Sequence, residues 1–144
     1  MKDSDVRYTP PEFYRELHEL TGVNWRRAND ATPKNHKSDS LKRRWRGNSY
    51  YLNPPFSQAS SFVKKALDEL SASDGPQRVL IVLPWYFVEN KKHRVTSAPQ
   101  WFLKARRRMR RFLVFSKKFR VRFIHPEGFQ YKNPFAVYVF HLER

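Results

Sequence analysis

Apolar positions along the chain follow two rhythms, and the switches between them mark the elements. Residues 11–21, PEFYRELHELT, open with Pro11 at a favourable first helical position, repeat Phe13, Leu17 and Leu20 at helical spacing, and stop before Gly22. That pattern predicts a helix. A strand is expected at Val23–Arg27, while the polar run from Ala28 to Ser38, with Asn29, Asp30, Pro33 and Asn35, reads as a loop or short turns. Tyr50–Leu52 forms a short strand that runs into two prolines. Ser57 is placed to cap a second helix, which carries Phe62, Val63, Ala66, Leu67 and Leu70 up to the breaker SASDGP. The order is strand, turn, helix.

The next run, RVLIVLP, is apolar without alternation, as expected of a strand covered on both faces of a parallel sheet, and it also ends at a proline, Pro84. Residues 98–111, APQWFLKARRRMRR, read as a helix with Trp101, Phe102 and Ala105 inward and a dense basic face. FLVFS, FRVRF and FAVYVFHL supply three more strands, the last two alternating as antiparallel edge strands do. Strands separated by helices predict an α/β three-layer sandwich with a ligand crevice at the carboxyl ends of its parallel strands. Asn53 sits at such an end.

Charge narrows the partner. Across 144 residues, 29 Lys+Arg stand against 13 Asp+Glu, a net charge of +16 that calls for a polyanion. The basic residues are spread along the chain and mixed with aromatics instead of gathering beside a hydrophobic anchor, which points to nucleic acid and away from a membrane. The expectation is a soluble, intracellular chain forming one domain over residues 1–144, with a loose start at 1–7. There is no cysteine, and the histidines, among them His36, His93 and His125, are scattered without metal-ligand spacing. No metal is implied.

The stop at Asn53-Pro54-Pro55-Phe56 has a chemical reading. Methylating an exocyclic amine of a base requires a conjugated, poorly nucleophilic nitrogen to attack a sulfonium methyl group, so acceptors must draw the amine out of conjugation. The Asn53 side-chain oxygen and the Pro54 carbonyl can both accept from one amino group. The Pro-Pro pair holds the turn rigid and brings no competing amide hydrogen. Phe56 offers a face for an extruded base.

At these residues the sequence resembles the amino-group methyltransferases, whose signature is Asn or Asp, then Pro-Pro, then an aromatic, at the end of the fourth strand of a Rossmann-like fold. The resemblance is nearer to the short phage-type DNA adenine-N6 methyltransferases. It runs from YTPPEFYREL through ATPKN and DSLKRRW to YLNPPFSQASSFVKKA, then to VLIVLP, QWF and the closing FRVRF and NPFAVYVF, and so covers nearly all of residues 8–142. The cap-adenosine N6 methyltransferases of messenger RNA are similar at Asn-Pro-Pro-Phe as well. The resemblance implies a class I methyltransferase sandwich, mostly parallel with an antiparallel C-terminal hairpin. It also implies S-adenosylmethionine as cofactor and Asn53, Pro54, Pro55 and Phe56 as the catalytic group.

Cofactor contacts are implied by the same resemblance. Thr9 and Pro10 match the block that borders the methionine end, and Asp39 in DSLKRRW matches an acidic position that contacts the adenosine. The family's carboxylate at the end of the first strand has its equivalent near Ala28, where Asp30 is the nearest acid, and the chain has no G-x-G among its four glycines.

Plainer readings accompany each motif. Asn-Pro-Pro also stops a strand without chemistry, and Asp39 also caps a helical turn. Trp85 and Tyr86 either stack on a base or close the core. Lys104, Arg106, Arg107, Arg108, Arg110 and Arg111, continued by Lys117, Lys118 and Arg120, form either a solvated face or a phosphate-binding stripe on the approach to the pocket, and the net charge favours the stripe. Two functions follow. One is an S-adenosylmethionine-dependent adenine-N6 methyltransferase of DNA or RNA. The alternative is a catalytically inactive, methyltransferase-like nucleic-acid-binding subunit of a nucleoprotein assembly. A partner subunit completing the pocket is open under both.

Overall fold

The computed structural model describes residues 9–31, 40–54, 58–84, 100–115 and 137–144, with the backbone alone at 84 and 100–103. Among the described residues, three α-helices, α1 (Pro11–Thr21), α2 (Ala59–Ser71) and α3 (Gln100–Arg108), accompany five strands, β1 (Asn29–Asp30), β2 (Ser49–Leu52), β3 (Arg78–Pro84), β4 (Met109–Phe115) and β5 (Val137–Glu143). The strands form one sheet in the order β1-β2-β3-β5-β4. β1, β2 and β3 run parallel, whereas β5 lies antiparallel to both β3 and β4. The architecture is α/β around a mixed sheet.

Two apolar clusters lie on opposite faces of that sheet. On one face Phe62, Val63, Ala66, Leu67 and Leu70 of α2, with Ala105 of α3 and Trp45, cover Tyr50, Leu52, Val79, Ile81 and Phe140. On the other, Phe13 and Leu17 of α1 join Trp25 over Tyr51, Leu80, Val82 and Val139. Alternate residues of β2 and β3 thus serve alternate faces, which is why the run VLIVL from Val79 to Leu83 shows no polar position. The sheet is sandwiched as the sequence predicts.

α1 begins at Pro11 and ends where Gly22, at φ 77°, adopts the left-handed conformation and donates its amide to His18 O at 2.8 Å. α2 is followed by Gly75, where an added Cβ would collide with the Glu69 carbonyl, so only glycine fits this return.

Three sequence expectations are corrected. Val23–Arg27 is not a strand: Trp25–Arg27 is a 3-10 turn, because Trp25 is buried and its indole Nε1 donates to Thr21 Oγ1 at 2.8 Å. The strand falls instead in the presumed loop, at Asn29–Asp30, where pairing with Tyr50 and Tyr51 overrides the low strand propensity of both residues. The helix expected over 98–111 stops at Arg108, and Met109–Phe115 pairs with β5, tertiary pairing outweighing the helical propensity of Met and Arg. FAVYVFHL is antiparallel but central, since β5 is inserted between β3 and β4. Its alternation is weak for that reason: it is buried at every position from 139 to 142. FRVRF and Ser57 lie outside the described residues.

Candidate functional site

Asn53 and Pro54 follow the last residue of β2, and Pro84 ends β3 beside it, with Leu52 in register with Ile81. Both strands therefore deliver their prolines to the same, carboxyl, edge of the sheet. Asn53 lies two residues beyond Tyr51 and so shares its face of the strand, the face covered by α1. It is 8% exposed.

α1 supplies its partner. Thr9 immediately precedes Pro10, the N-cap of α1, and its Oγ1 accepts a hydrogen bond from Asn53 Nδ2 at 3.4 Å. The same hydroxyl lies 2.7 Å from the Tyr51 hydroxyl. Committing the amide nitrogen to Thr9 turns the acceptor oxygen of Asn53 toward other partners.

Tyr14 completes the cluster, its ring 4.9 Å from that of Tyr51 at a tilt of 55°. Burial, reinforced by the Asp30 carboxylate, pushes the Tyr14 phenol up to about 12. Burial and the neighbouring Tyr14 push Tyr51 well above the ordinary phenol range. Both phenols are neutral donors at physiological pH. Asp30 itself is exposed at the end of β1, in register with Tyr51, so a carboxylate stands one strand away from Asn53. Ala28, nearest the strand-end position of the family pattern, caps the 3-10 turn instead.

Thus Thr9, Pro10, Asp30, Asn53 and Pro54 gather at one edge. Asp39, Pro55, Phe56, Trp85 and Tyr86 lie outside the described residues, as do Lys117, Lys118 and Arg120. Tyr51 and Tyr14 escaped the sequence reading, although the two-residue spacing of Tyr51 from Asn53 was a usable signal.

The basic run divides. Lys104, Arg106, Arg107 and Arg108 belong to α3, while Arg110 and Arg111 belong to β4. Met109 pairs with Leu142, and Leu142 with Val79 near the start of β3, so the end of α3 lies at the amino edge of the parallel strands. Asn53 follows Leu52, which is level with Ile81, so along the strands the end of α3 lies about three residues, roughly 10 Å, below Asn53, and across the sheet β3 and β5 stand between them.

Comparison with protein families and with curated proteins found no match. Among solved structures, the crystal structure of the 23S rRNA methyltransferase ErmE is similar at a TM-score of 0.46 and 14% identity. The match covers 94% of this chain and 49% of the ErmE chain, so this chain spans about half the length of that protein. Among the described residues, no helix is long and apolar enough to cross a membrane and no group of potential metal ligands occurs.

Proposed function

We propose that the chain is an S-adenosylmethionine-dependent methyltransferase acting on the adenine N6 amine of a nucleic acid, with Asn53 and Pro54 as the amine-holding pair. The observation that carries this reading is the orientation of Asn53. Its Nδ2 is donated to Thr9 at the carboxyl edge of β2, which sets the plane of the amide and the direction of its oxygen. The Pro54 carbonyl precedes Pro55, so no amide hydrogen of the next residue competes for the site. Two acceptors on one amino group draw its hydrogens aside and restore lone-pair density to the nitrogen. Transfer would leave the methylated nitrogen cationic, and the two acceptors would hold its N–H groups until one proton is lost to water.

The donor set suits the cofactor. Asp30 places negative charge at the strand ends, enough to help raise Tyr14, and that potential favours a sulfonium cation. S-adenosylmethionine, when bound, would supply the methyl group on sulfur. Asp30, Thr9 and Pro10 are the described residues that would border it, with Asp39 and Phe56 as further contacts implied by the sequence resemblance.

A second reading is favoured by Ala28, which stands where the family pattern has an acid. Under it the chain binds nucleic acid without transferring methyl groups, as a subunit of a nucleoprotein assembly. Calorimetric titration with S-adenosylmethionine and its demethylated product separates the two: binding supports the methyltransferase, and no heat with either supports the subunit. With binding established, Asn53→Ala should abolish methyl incorporation into adenine-containing oligonucleotides while folding is unchanged. Wild-type incorporation by that variant removes the reading.

A further inference from the structure

The basic run lines a cavity that the proposed transfer site does not use. A space of about 660 Å³ opens between the end of α2 (Leu67, Asp68, Ser71), α3, the start of β4 and the end of β5. Its walls carry Lys104, Arg107, Arg108, Arg110 and Arg144 against Asp68 and Glu143. Lys104, Arg107 and Arg108 stand at helical spacings of three and four and so share one face of α3. Arg108 donates to Ser71 Oγ at 3.3 Å, and Arg144 donates to the carbonyls of Ala72 and Gly75. Lys104, Arg107 and Arg110 have no carboxylate partner among the described residues. Three unneutralised cations on one concave surface form a site for phosphate oxygens.

β4 extends that surface toward the carboxyl edge. A register shift between Met109 and Arg111 leaves Arg110 outside the ladder, and Arg110, Phe112 and Val114 alternate on the exposed side of the strand. Phe112 is 46% exposed and Val114 54%. The Phe112 ring stacks on Phe140, with centroids 5.0 Å apart, and meets Tyr138 edge-on at 5.4 Å, which fixes a ring that is still nearly half exposed. The strand climbs from the cavity at Met109 to Phe115, which is level with Val137 and hence with Pro84. An immobilised aromatic between a cluster of cations and the carboxyl edge suits unpaired bases, because only an unpaired base presents its face.

We propose that the cavity beneath α3 and the exposed side of β4 form a track for single-stranded nucleic acid, with phosphates at Lys104, Arg107 and Arg110 and a base stacked on Phe112. It rests on the nucleic-acid partner of the preceding reading but not on methyl transfer. From Met109, level with Val79, to Phe115, level with Pro84, is five residue steps or roughly 17 Å, about five nucleotides at about 3.4 Å each.

Fluorescence anisotropy with a 20-nucleotide single strand, the matching duplex and a three-nucleotide fragment tests the track. The full-length chain should prefer the single strand to the duplex. Arg107→Glu with Arg110→Glu should weaken single-strand binding at least tenfold and reduce the slope of log affinity against log salt by about 1.4, at about 0.7 per phosphate. Phe112→Ala should cost roughly 5- to 100-fold on the single strand, and Phe112→Tyr should restore binding. The three-nucleotide fragment is too short to span both ends and should be far less sensitive to the double variant. Inorganic tripolyphosphate should compete only weakly with the 20-mer, and competition at equal concentration would assign the cavity to free polyphosphate and overturn the track. Equal affinity for duplex and single strand, or single-strand binding unchanged in the folded double variant, would also overturn it. Loss of methyl transfer without these results leaves the track standing, and the converse leaves the transfer reading standing.

Discussion

Asn53 donates its side-chain amide to the hydroxyl of Thr9 at 3.4 Å across 44 positions of sequence. The start of one helix thereby sets the orientation of a residue at the end of a strand.

Thr9→Val removes that acceptor at little change in volume, so the Asn53 amide is no longer held in one orientation. Under the proposed function, methyl transfer should fall roughly 10- to 100-fold, the scale on which a small misplacement of a reacting group is felt. Thr9→Ser should restore most of it. Comparing kcat with KM for the three forms checks this, since a positioning loss should appear mainly in kcat.

Tyr14 should remain protonated until about pH 12, because burial and Asp30 both oppose the phenolate. Its folded pKa exceeds the unfolded value of about 10, so its contribution to stability is complete below pH 10 and is lost as pH rises toward 12. Ultraviolet difference titration of wild type against Tyr14→Phe isolates this step. Asp30→Asn should move it downward.

The legibility of the fold follows from what determines each element. α1, α2 and β3 were readable because their apolar positions are dictated by a single sheet face or by both at once. β1 was not: Asn29 and Asp30 have no strand propensity, and only their pairing with Tyr50 and Tyr51 makes them a strand. The boundary at Arg108 was equally hidden, since no glycine or proline separates α3 from β4. Of the site, Asn53 and Pro54 were legible as a local motif. The Thr9 contact was expected only as part of a resemblance, and the tyrosine pair depends on long-range packing that no local pattern encodes.

His141 is buried in β5 and packs edge-on against Trp25 at 5.2 Å. Burial holds its pKa below the ordinary value. Glu143, 3.2 Å from Nε2, pulls the other way, while Arg111, Arg78 and Arg110 deepen the depression. The folded state therefore resists a proton that the unfolded chain accepts near pH 6.5. Stability should be complete above about pH 6.5 and decline as pH falls toward the folded pKa, by at most about 1.4 kcal/mol per pH unit. Urea unfolding from pH 5 to 8 should show this slope in wild type and its reduction in His141→Gln.

Glu69 is 3% exposed in its side chain and receives Lys65 Nζ at 2.9 Å and Arg44 Nε at 3.0 Å. Burial alone would raise its pKa, yet the hydrogen bonds from Lys65 and Arg44 bring it below the usual range. Arg44 also reaches Asp74, so this carboxylate fastens the 40–46 segment to α2. Glu69→Ala should cost about 1.5–3 kcal/mol by urea unfolding at pH 7. The difference from wild type should shrink as pH falls below about 4.3 and the wild-type carboxyl becomes protonated.

The central place of β5 governs the order in which the sheet is made. Among the described residues β3 and β4 do not pair with each other and are bridged in the sheet by residues 137–143. Among the described residues β4 pairs with β5 alone, so during synthesis that pairing waits until residues 137–143 are made. The late strand acts as a keystone. Contacts of long sequence separation must close last, which slows folding and makes the half-built sheet dependent on the nascent chain remaining soluble. Arg110 and Arg111 place positive charge on β4, the kind of charge that disfavours pairing of an open strand edge with another copy.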